Sequence, residues 1–96
     1  MPRPSRLADA EVARRVAKLP AWTHSGDTIT RTFAFKGFPE SVVFVTRLVA
    51  PAEALDHHPD VDVRFNKVTV TLSTHSVGGL TELDFDLAGK IDELPA

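Results

Sequence analysis

The sequence of 96 residues contains no cysteine. This absence excludes disulfide bonds, thiolate-ligated metal sites and cysteine nucleophiles. The sequence also lacks an apolar run long enough to span a bilayer, and no charged-then-apolar leader opens it. We therefore expect a cytoplasmic protein with no membrane partner. Because the formal net charge is only −2, there is no general attraction to nucleic acid, and we expect no nucleic-acid partner.

Length and composition predict a single domain. A chain of 96 residues has room for one core, and 43% hydrophobic with 25% charged residues is ordinary for a globular protein. We therefore treat residues 1–96 as one domain. A core this thin makes oligomerisation a reasonable expectation.

Hydrophobic periodicity predicts three helices and two hairpins. The predicted helices are Asp9–Leu19, Pro39 to about His57, and one that begins after Thr81; the predicted hairpins pair Trp22–His24 with Thr28–Phe35, and Val61–Phe65 with Val68–Ser73 around an Asn66-Lys67 turn. Two hairpins usually join into one sheet with the helices on one face. The expected fold class is therefore α+β, a four-stranded antiparallel sheet with three helices packed on one face, in the order α-β-β-α-β-β-α.

Two prolines shape the second predicted helix. Pro51 interrupts its apolar stripe and predicts a kink about one turn before Glu53. Pro59 disfavours helical geometry at His58, so the helix must end at the histidine pair. Glu53 and His57 are four residues apart and share a face of that helix. The helix end is thus predicted to bring two imidazoles and a carboxylate to one edge of the domain.

Three of the four histidines, His57, His58 and His75, lie in one stretch that is rich in acidic residues. Histidine has the unperturbed pKa nearest neutrality, so a cluster of imidazoles suits proton transfer. These residues predict a small proton-transfer enzyme that acts on a polar heterocycle. A metal hydrolase is an alternative, since imidazoles and a carboxylate also ligate zinc or iron. Adjacent histidines rarely converge on one ion, however, because neighbouring side chains point apart.

Several short motifs occur together: E-x-x-x-H-H-P at residues 53–59, T-H at 74–75 and G-L-T-x-x-D at 79–84. With Trp22, Arg31, Phe33, Phe35 and Phe38, they resemble the pterin-4a-carbinolamine dehydratase family, the 4a-hydroxytetrahydrobiopterin dehydratases. The resemblance covers most of the chain and implies an α+β fold in dimers or tetramers. It implies removal of water from a 4a-hydroxytetrahydropterin to give the quinonoid dihydropterin, in support of tetrahydrobiopterin recycling. No metal or cofactor is implied, because the pterin is the substrate.

The resemblance also implies which residues form the site. His57, His58 and His75 match the family's active-site histidines, and Glu53 and Asp84 match its acidic partners. His57 and His75 would flank the ring as general acid and base, while His58 would bind and orient the substrate. Glu53 would hydrogen-bond the His57 imidazole and fix its tautomer.

Two of the implied substrate contacts, Asp84 and Thr74, have a second interpretation, and a third, Val61, departs from the family pattern. Asp84 would serve the site, or it would only close a capping box with Thr81. Thr74 would contact the substrate, or it would only extend the strand. Val61 stands where many family members carry an aromatic ring that lines the pterin pocket. We expect Val61 to line the same pocket, with weaker stacking on the pterin.

The implied partners are a second or further copy of the chain, as a homodimer or homotetramer, and an aromatic amino-acid hydroxylase. Animal members of the family also act as a dimerisation cofactor for a homeodomain transcription factor. A non-catalytic, partner-binding module of the same fold is therefore an alternative to the enzyme.

Overall fold

The computed structural model describes residues 4–95, in which helices alternate with antiparallel hairpins. The elements are α1 (Asp9–Ala17), β1 (Thr23–Ser25), β2 (Thr28–Ala34), α2 (Phe38–Arg47), α3 (Val49–Leu55), β3 (Asp60–Arg64), β4 (Lys67–Leu72), a short 3₁₀ helix (His75–Val77) and α4 (Glu82–Asp92). The predicted α+β class and element order are confirmed, with α2 and α3 together forming the second predicted helix. No helix among residues 4–95 is long and apolar enough to cross a bilayer.

The four strands form one antiparallel sheet in the order β1-β2-β4-β3. The two hairpins join through β2 and β4, where Ile29 lies opposite Leu72 and Phe33 lies opposite Val68. Successive side chains of a strand point to opposite faces. These four side chains are accordingly buried beneath the helices, and threonines of the same strands line the other face. Strand β3 lies at an edge of the sheet and pairs with β4 alone.

The second predicted helix is divided into two segments at Leu48, which lies between α2 and α3. Pro51 causes the division, because a proline cannot bond to the Arg47 carbonyl and its ring crowds that oxygen. In the structure Pro51 lies in the first turn of α3, where N–H groups have no intrahelical partner in any case. The predicted kink is therefore present as a break, close to the expected position.

The turn between β3 and β4 consists of Phe65 and Asn66, so the predicted Asn66-Lys67 turn is wrong by one residue. Asn66 is fastened to β2, because its backbone oxygen accepts from the Phe35 N–H at 2.8 Å and its side-chain amide donates to the Phe35 oxygen at 3.1 Å. Phe65 has a φ of 52°, which residues with side chains rarely adopt. Its ring points away from the core, and the residue is 68% exposed.

Trp22 connects the first hairpin to α4. Its indole is buried, and the indole N–H donates to Asp92 Oδ1 at 2.9 Å. Arg31 of β2 donates to the same oxygen and lies over the ring of Phe33, with its guanidinium carbon 4.2 Å from the ring centroid. One carboxylate thus holds the last helix against the sheet.

We predict that Asp92→Ala lowers the free energy of unfolding by about 1–3 kcal/mol, because it leaves the buried Trp22 N–H without an acceptor. Urea unfolding followed by tryptophan fluorescence measures the change. Asp86→Ala is the matched control, since Asp86 is exposed on the same helix and its loss is expected to cost less than about 0.5 kcal/mol. Equal losses in the two variants would show that the contact with Trp22 does not stabilise the fold.

Candidate active site

The end of α3 sets the direction of His57. Asp56 adopts the left-handed conformation (φ 48°, ψ 46°), and the N–H of His57 bonds back to the Ala52 oxygen at 3.0 Å. This is a Schellman arrangement, in which the chain changes direction directly after the helix. His57 therefore turns from the helix surface into the protein, where it is only 9% exposed.

Asp84, in the first turn of α4, binds the imidazole of His57, which follows the end of α3. His57 Nε2 lies 2.6 Å from Asp84 Oδ1. The other carboxylate oxygen accepts from the backbone N–H of Thr81 at 2.9 Å and from the hydroxyl of Thr74 at 2.8 Å. Asp84 is completely buried, at 0% exposure, so these three donors replace the water that its charge has lost.

The hydroxyl groups of Thr74 and Thr81 determine which atom is the donor in each hydrogen bond of this network. Thr74 donates its only hydroxyl proton to Asp84, so Thr81 must donate in the 2.8 Å contact between the two hydroxyls. The Thr81 oxygen accepts from the Leu83 N–H at 3.2 Å and completes the predicted capping box. Asp84 thus caps α4 and binds His57 at the same time, so the two alternatives for this residue are compatible. Thr74 is buried within the network rather than facing solvent.

The network also selects a tautomer of His57. An ionised carboxylate only accepts hydrogen bonds, so Nε2 of the neutral imidazole must carry the proton. Nδ1 is then the unprotonated nitrogen, available to take a proton from a bound molecule. An aspartate that holds one ring nitrogen fixes the imidazole's orientation as well as its tautomer.

Glu53 contacts His58 rather than His57, so the prediction that Glu53 fixes the His57 tautomer is wrong. Glu53 Oε2 lies 2.5 Å from His58 Nε2, and both side chains are exposed. The prediction assumed that the helix continues through His57. The left-handed residue Asp56 ends it earlier and turns His57 away from Glu53.

His75 begins the 3₁₀ helix after β4, and its side chain is 76% exposed. Its Nε2 lies 3.8 Å from Asp60 Oδ2. The three predicted histidines and Thr74 meet at one cleft of about 290 Å³, close to the lower limit of roughly 300–1,000 Å³ for small-molecule sites. We call this the histidine cleft; it is lined by Asp56, His57, His58, Asp60, Ser73, Thr74, His75 and Ser76.

Glu53 and Val61 line a second depression next to the histidine cleft, and His58 lines both. This apolar groove has a volume of about 210 Å³ and lies between β3 and the helices α2 and α3. Its lining residues are Val45, Leu48, Val49, Ala52, Glu53, His58, Pro59 and Val61. Val61 therefore lines a different depression from His57 and His75, and its predicted contact with the substrate stays a prediction.

Sequence reasoning did not assign Asp60 or Thr81 to the site. Asp60 follows the H-H-P motif directly, and that position was the available signal for its contact with His75. The sequence predicts Thr81 only as a helix cap. Its second contact, with Thr74, depends on how the loop before α4 folds back onto the end of β4.

The arrangement of the histidines and carboxylates bears on whether a metal ion would bind at this site. Among residues 4–95, no three His, Asp or Glu side chains are arranged to hold one metal ion. His57 and His58 instead face different carboxylates. Metal analysis of the purified protein remains the test of the metal alternative, and stoichiometric metal would revive it.

A larger cavity of about 490 Å³ lies between β2 and α2, and its lining includes Phe35 and Arg47 but no histidine.

We predict that Asp84→Asn changes the tautomer of His57. The amide oxygen of the asparagine would accept from Thr74 and Thr81, which turns its NH₂ group toward Nε2. Nε2 must then accept, so the ring proton moves to Nδ1. Nitrogen-15 NMR of the histidine rings is expected to show Nε2–H in the wild type and Nδ1–H in the variant.

His24 serves as the internal reference in the same spectra, because it is exposed on β1 and bonds only to the Gly26 oxygen among the described residues. If His57 has the same tautomer in both proteins, Asp84 does not select it.

Comparison with known proteins places this chain in one protein family. A sequence profile of the family described as "Pterin 4 alpha carbinolamine dehydratase" matches residues 5–94. A protein of Picosynechococcus sp. (strain ATCC 27264 / PCC 7002 / PR-6) is 51% identical over 90 residues, which are 94% of this chain and 98% of the relative. A protein of Nocardia farcinica (strain IFM 10152) is 51% identical over 88 residues, 92% of this chain and 93% of the relative. Both relatives carry the name "Putative pterin-4-alpha-carbinolamine dehydratase".

One solved structure supports the same family, and a second shares the fold. The crystal structure of a transcriptional coactivator/pterin dehydratase from Brucella melitensis has a TM-score of 0.86 and 39% identity, covering 92% of this chain and 96% of that one. A pterin dehydratase-like RuBisCO assembly factor of the alpha-carboxysome has a TM-score of 0.58 and 22% identity over 74% of this chain and 82% of its own, a likeness of fold alone. The chain belongs to the pterin-4a-carbinolamine dehydratase family.

Proposed function

We propose that this protein removes water from a 4a-hydroxytetrahydropterin, 4a-hydroxytetrahydrobiopterin in the first instance, to give the quinonoid dihydropterin. The observation that carries the proposal is the Asp84-bound imidazole of His57 in the same cleft as His75. Membership of the family supports the same activity. A cleft with two imidazoles in different surroundings suits a reaction that needs both an acid and a base.

The chemistry requires two proton transfers. The C4a–O bond breaks as a proton reaches the departing hydroxyl, and N5 loses its proton as the C4a=N5 double bond forms. One proton is delivered for each proton removed, and no electrons are gained or lost. Imidazole performs both transfers near neutral pH. We assign the transfers to His57 and His75, and the face of the ring that carries the hydroxyl decides which of them is the acid.

The two imidazoles differ in a way that fits these roles. His57 is nearly buried and its orientation is fixed by a carboxylate, so little freedom is lost when it meets the substrate. His75 is 76% exposed and can exchange protons with water directly. Asp84 is buried behind His57, and Thr74, at the wall of the cleft, donates its hydroxyl proton to Asp84, so we assign both as positioning residues. His58, held by Glu53, is the group that we assign to substrate binding.

The substrate of this reaction arises when an aromatic amino-acid hydroxylase oxidises its tetrahydropterin. We therefore propose that such a hydroxylase supplies the substrate and that the product enters tetrahydrobiopterin recycling. A cytoplasmic location and a homodimer or homotetramer belong to the same proposal.

A non-catalytic partner-binding module is the second candidate. The name of the Brucella melitensis neighbour favours it, since that protein is called a transcriptional coactivator as well as a pterin dehydratase. A variant that lacks both His57 and His75 separates the two candidates. If it retains a captured partner while losing dehydration, binding is a function in its own right.

We predict that His57→Ala and His75→Ala each lower the enzymatic dehydration rate by about 10²-fold or more, since general acid–base catalysis contributes about 10²–10⁴-fold. An aromatic amino-acid hydroxylase generates the substrate, and ultraviolet absorbance follows the quinonoid product. The uncatalysed dehydration is subtracted, because the intermediate also loses water by itself.

His24→Ala is the matched control, because His24 is an exposed imidazole on β1 outside the histidine cleft, and it is expected to retain full activity. A double variant of His57 and His75 that equals the wild type would refute the assignment.

A further inference from the structure

The larger cavity between β2 and α2 has the dimensions of a small-molecule site. Its volume of about 490 Å³ falls inside the range of roughly 300–1,000 Å³ that such sites occupy. The residues that line it all belong to the stretch from Ala34, the last residue of β2, to Arg47, the last residue of α2. None of them lines the histidine cleft, so a molecule bound here would be separate from the proposed dehydration.

Two aromatic rings form one wall of the larger cavity. The rings of Phe35 and Phe44 have their centroids 5.0 Å apart, and the Phe44 ring also packs on Phe33, with the centroids 4.5 Å apart. Phe44 is only 1% exposed, and the backbone of Phe35 is bonded to Asn66 on both its N–H and its oxygen. The wall is therefore preformed, and a flat aromatic ring packs well against it in an offset or edge-to-face arrangement.

Three charged side chains surround this aromatic wall. Glu40 and Arg47 lie four residues before and three residues after Phe44, so all three share one face of α2. Lys36 lines the cavity from the turn between β2 and α2. The lining thus carries two cations and one carboxylate, an excess of one positive charge, although the whole chain has a net charge of −2. This local charge favours an anionic ligand.

The two cations of the cavity are not neutralised within the described part of the chain. The ion pairs of up to 4.0 Å that join residues 4–95 involve neither Lys36 nor Arg47. Arg47 is nevertheless held in place, because its Nη1 donates to the Pro95 oxygen at 3.0 Å. That bond uses one of the five N–H donors of the guanidinium. A guanidinium that is already oriented suits a carboxylate, which it binds through two parallel hydrogen bonds.

We propose that the larger cavity is a second ligand site, which binds a small aromatic compound that carries a single carboxylate. The ring of the ligand lies against Phe35 and Phe44, and its carboxylate bonds to Arg47, with Lys36 adding to the attraction. A phosphate group fits less well, because it carries about two charges and Glu40 repels the second. An aromatic amino acid also fits less well, because its ammonium group adds positive charge to a lining that already has an excess of it.

Titration of the full-length protein with indole-3-propanoate, followed by NMR of the backbone amides, tests the proposal. We expect saturable shifts around the cavity and nuclear Overhauser effects between the indole protons and the side chains of Phe35 and Val43. Two matched ligands report on charge: indole-3-propanamide has the same shape without the carboxylate, and L-tryptophan adds the ammonium group. The amide is expected to bind roughly tenfold more weakly, because it loses a charge-assisted hydrogen bond, and L-tryptophan is expected to bind more weakly as well.

Charge-removing variants assign the contacts. Arg47→Gln is expected to raise the Kd for indole-3-propanoate roughly tenfold, whereas Glu40→Gln is expected to lower it about twofold to fivefold, because a repelling carboxylate is lost. Arg14→Gln is the matched control, since Arg14 is an exposed arginine on α1 that does not line the cavity, and the Kd is expected to stay unchanged. All three side chains are exposed, so the variants are expected to fold like the wild type.

Absence of saturable shifts around the cavity overturns the proposal, and so does equal binding of the carboxylate and the amide, or an Arg47→Gln protein that binds like the wild type. Sedimentation velocity with and without indole-3-propanoate excludes another occupant. A ligand that breaks an oligomer into smaller species would show that a second copy of the chain covers the cavity, which also overturns the proposal. None of these measurements uses a pterin, so their outcome is distinct from failure of the dehydratase proposal.

Discussion

The buried carboxylate of Asp84 is the group on which both the fold and the candidate site depend. It accepts hydrogen bonds from His57 after α3, from Thr74 after β4 and from the Thr81 backbone before α4. A charge that is fully removed from water remains in place only when several donors surround it. Three segments far apart in the sequence therefore converge on one residue. The contacts that join the start of α4 to the segment after β4 also hold the carboxylate that orients the imidazole.

Much of this arrangement is visible in the sequence. Alternation in β2 and β4 predicts the faces of the sheet, and the spacing of Thr81 and Asp84 predicts the capping box, which the structure confirms. Proline after the histidine pair predicts that the helix ends at that pair, whereas α3 ends two residues before His57, at Leu55. The family motifs predict that His57, His58 and His75 belong to one site, and in the structure all three line one cleft.

The remaining details depend on single residues in conformations that local propensity does not predict. Asp56 and Phe65 have φ values of 48° and 52°, a region that glycine enters readily and other residues seldom do. Asp56 ends α3 early, so that Glu53 contacts His58 instead of the expected His57. Phe65 moves the hairpin turn by one residue and exposes an aromatic ring. The contact between His57 and Asp84 also could not be derived from spacing, because it joins elements that only tertiary packing brings together.

NMR of the histidine rings and of the backbone amides, during titration with a stable dihydropterin, most directly tests the central claim, that the histidine cleft binds the pterin. We expect the largest shifts at the rings of His57, His58 and His75, with saturation at one pterin per chain. The larger cavity between β2 and α2 provides the contrast, since it is lined by Phe35 and Arg47 and by no histidine. If the largest shifts arise around that cavity while the histidine rings stay unchanged, the pterin binds elsewhere and the proposed catalytic roles are wrong.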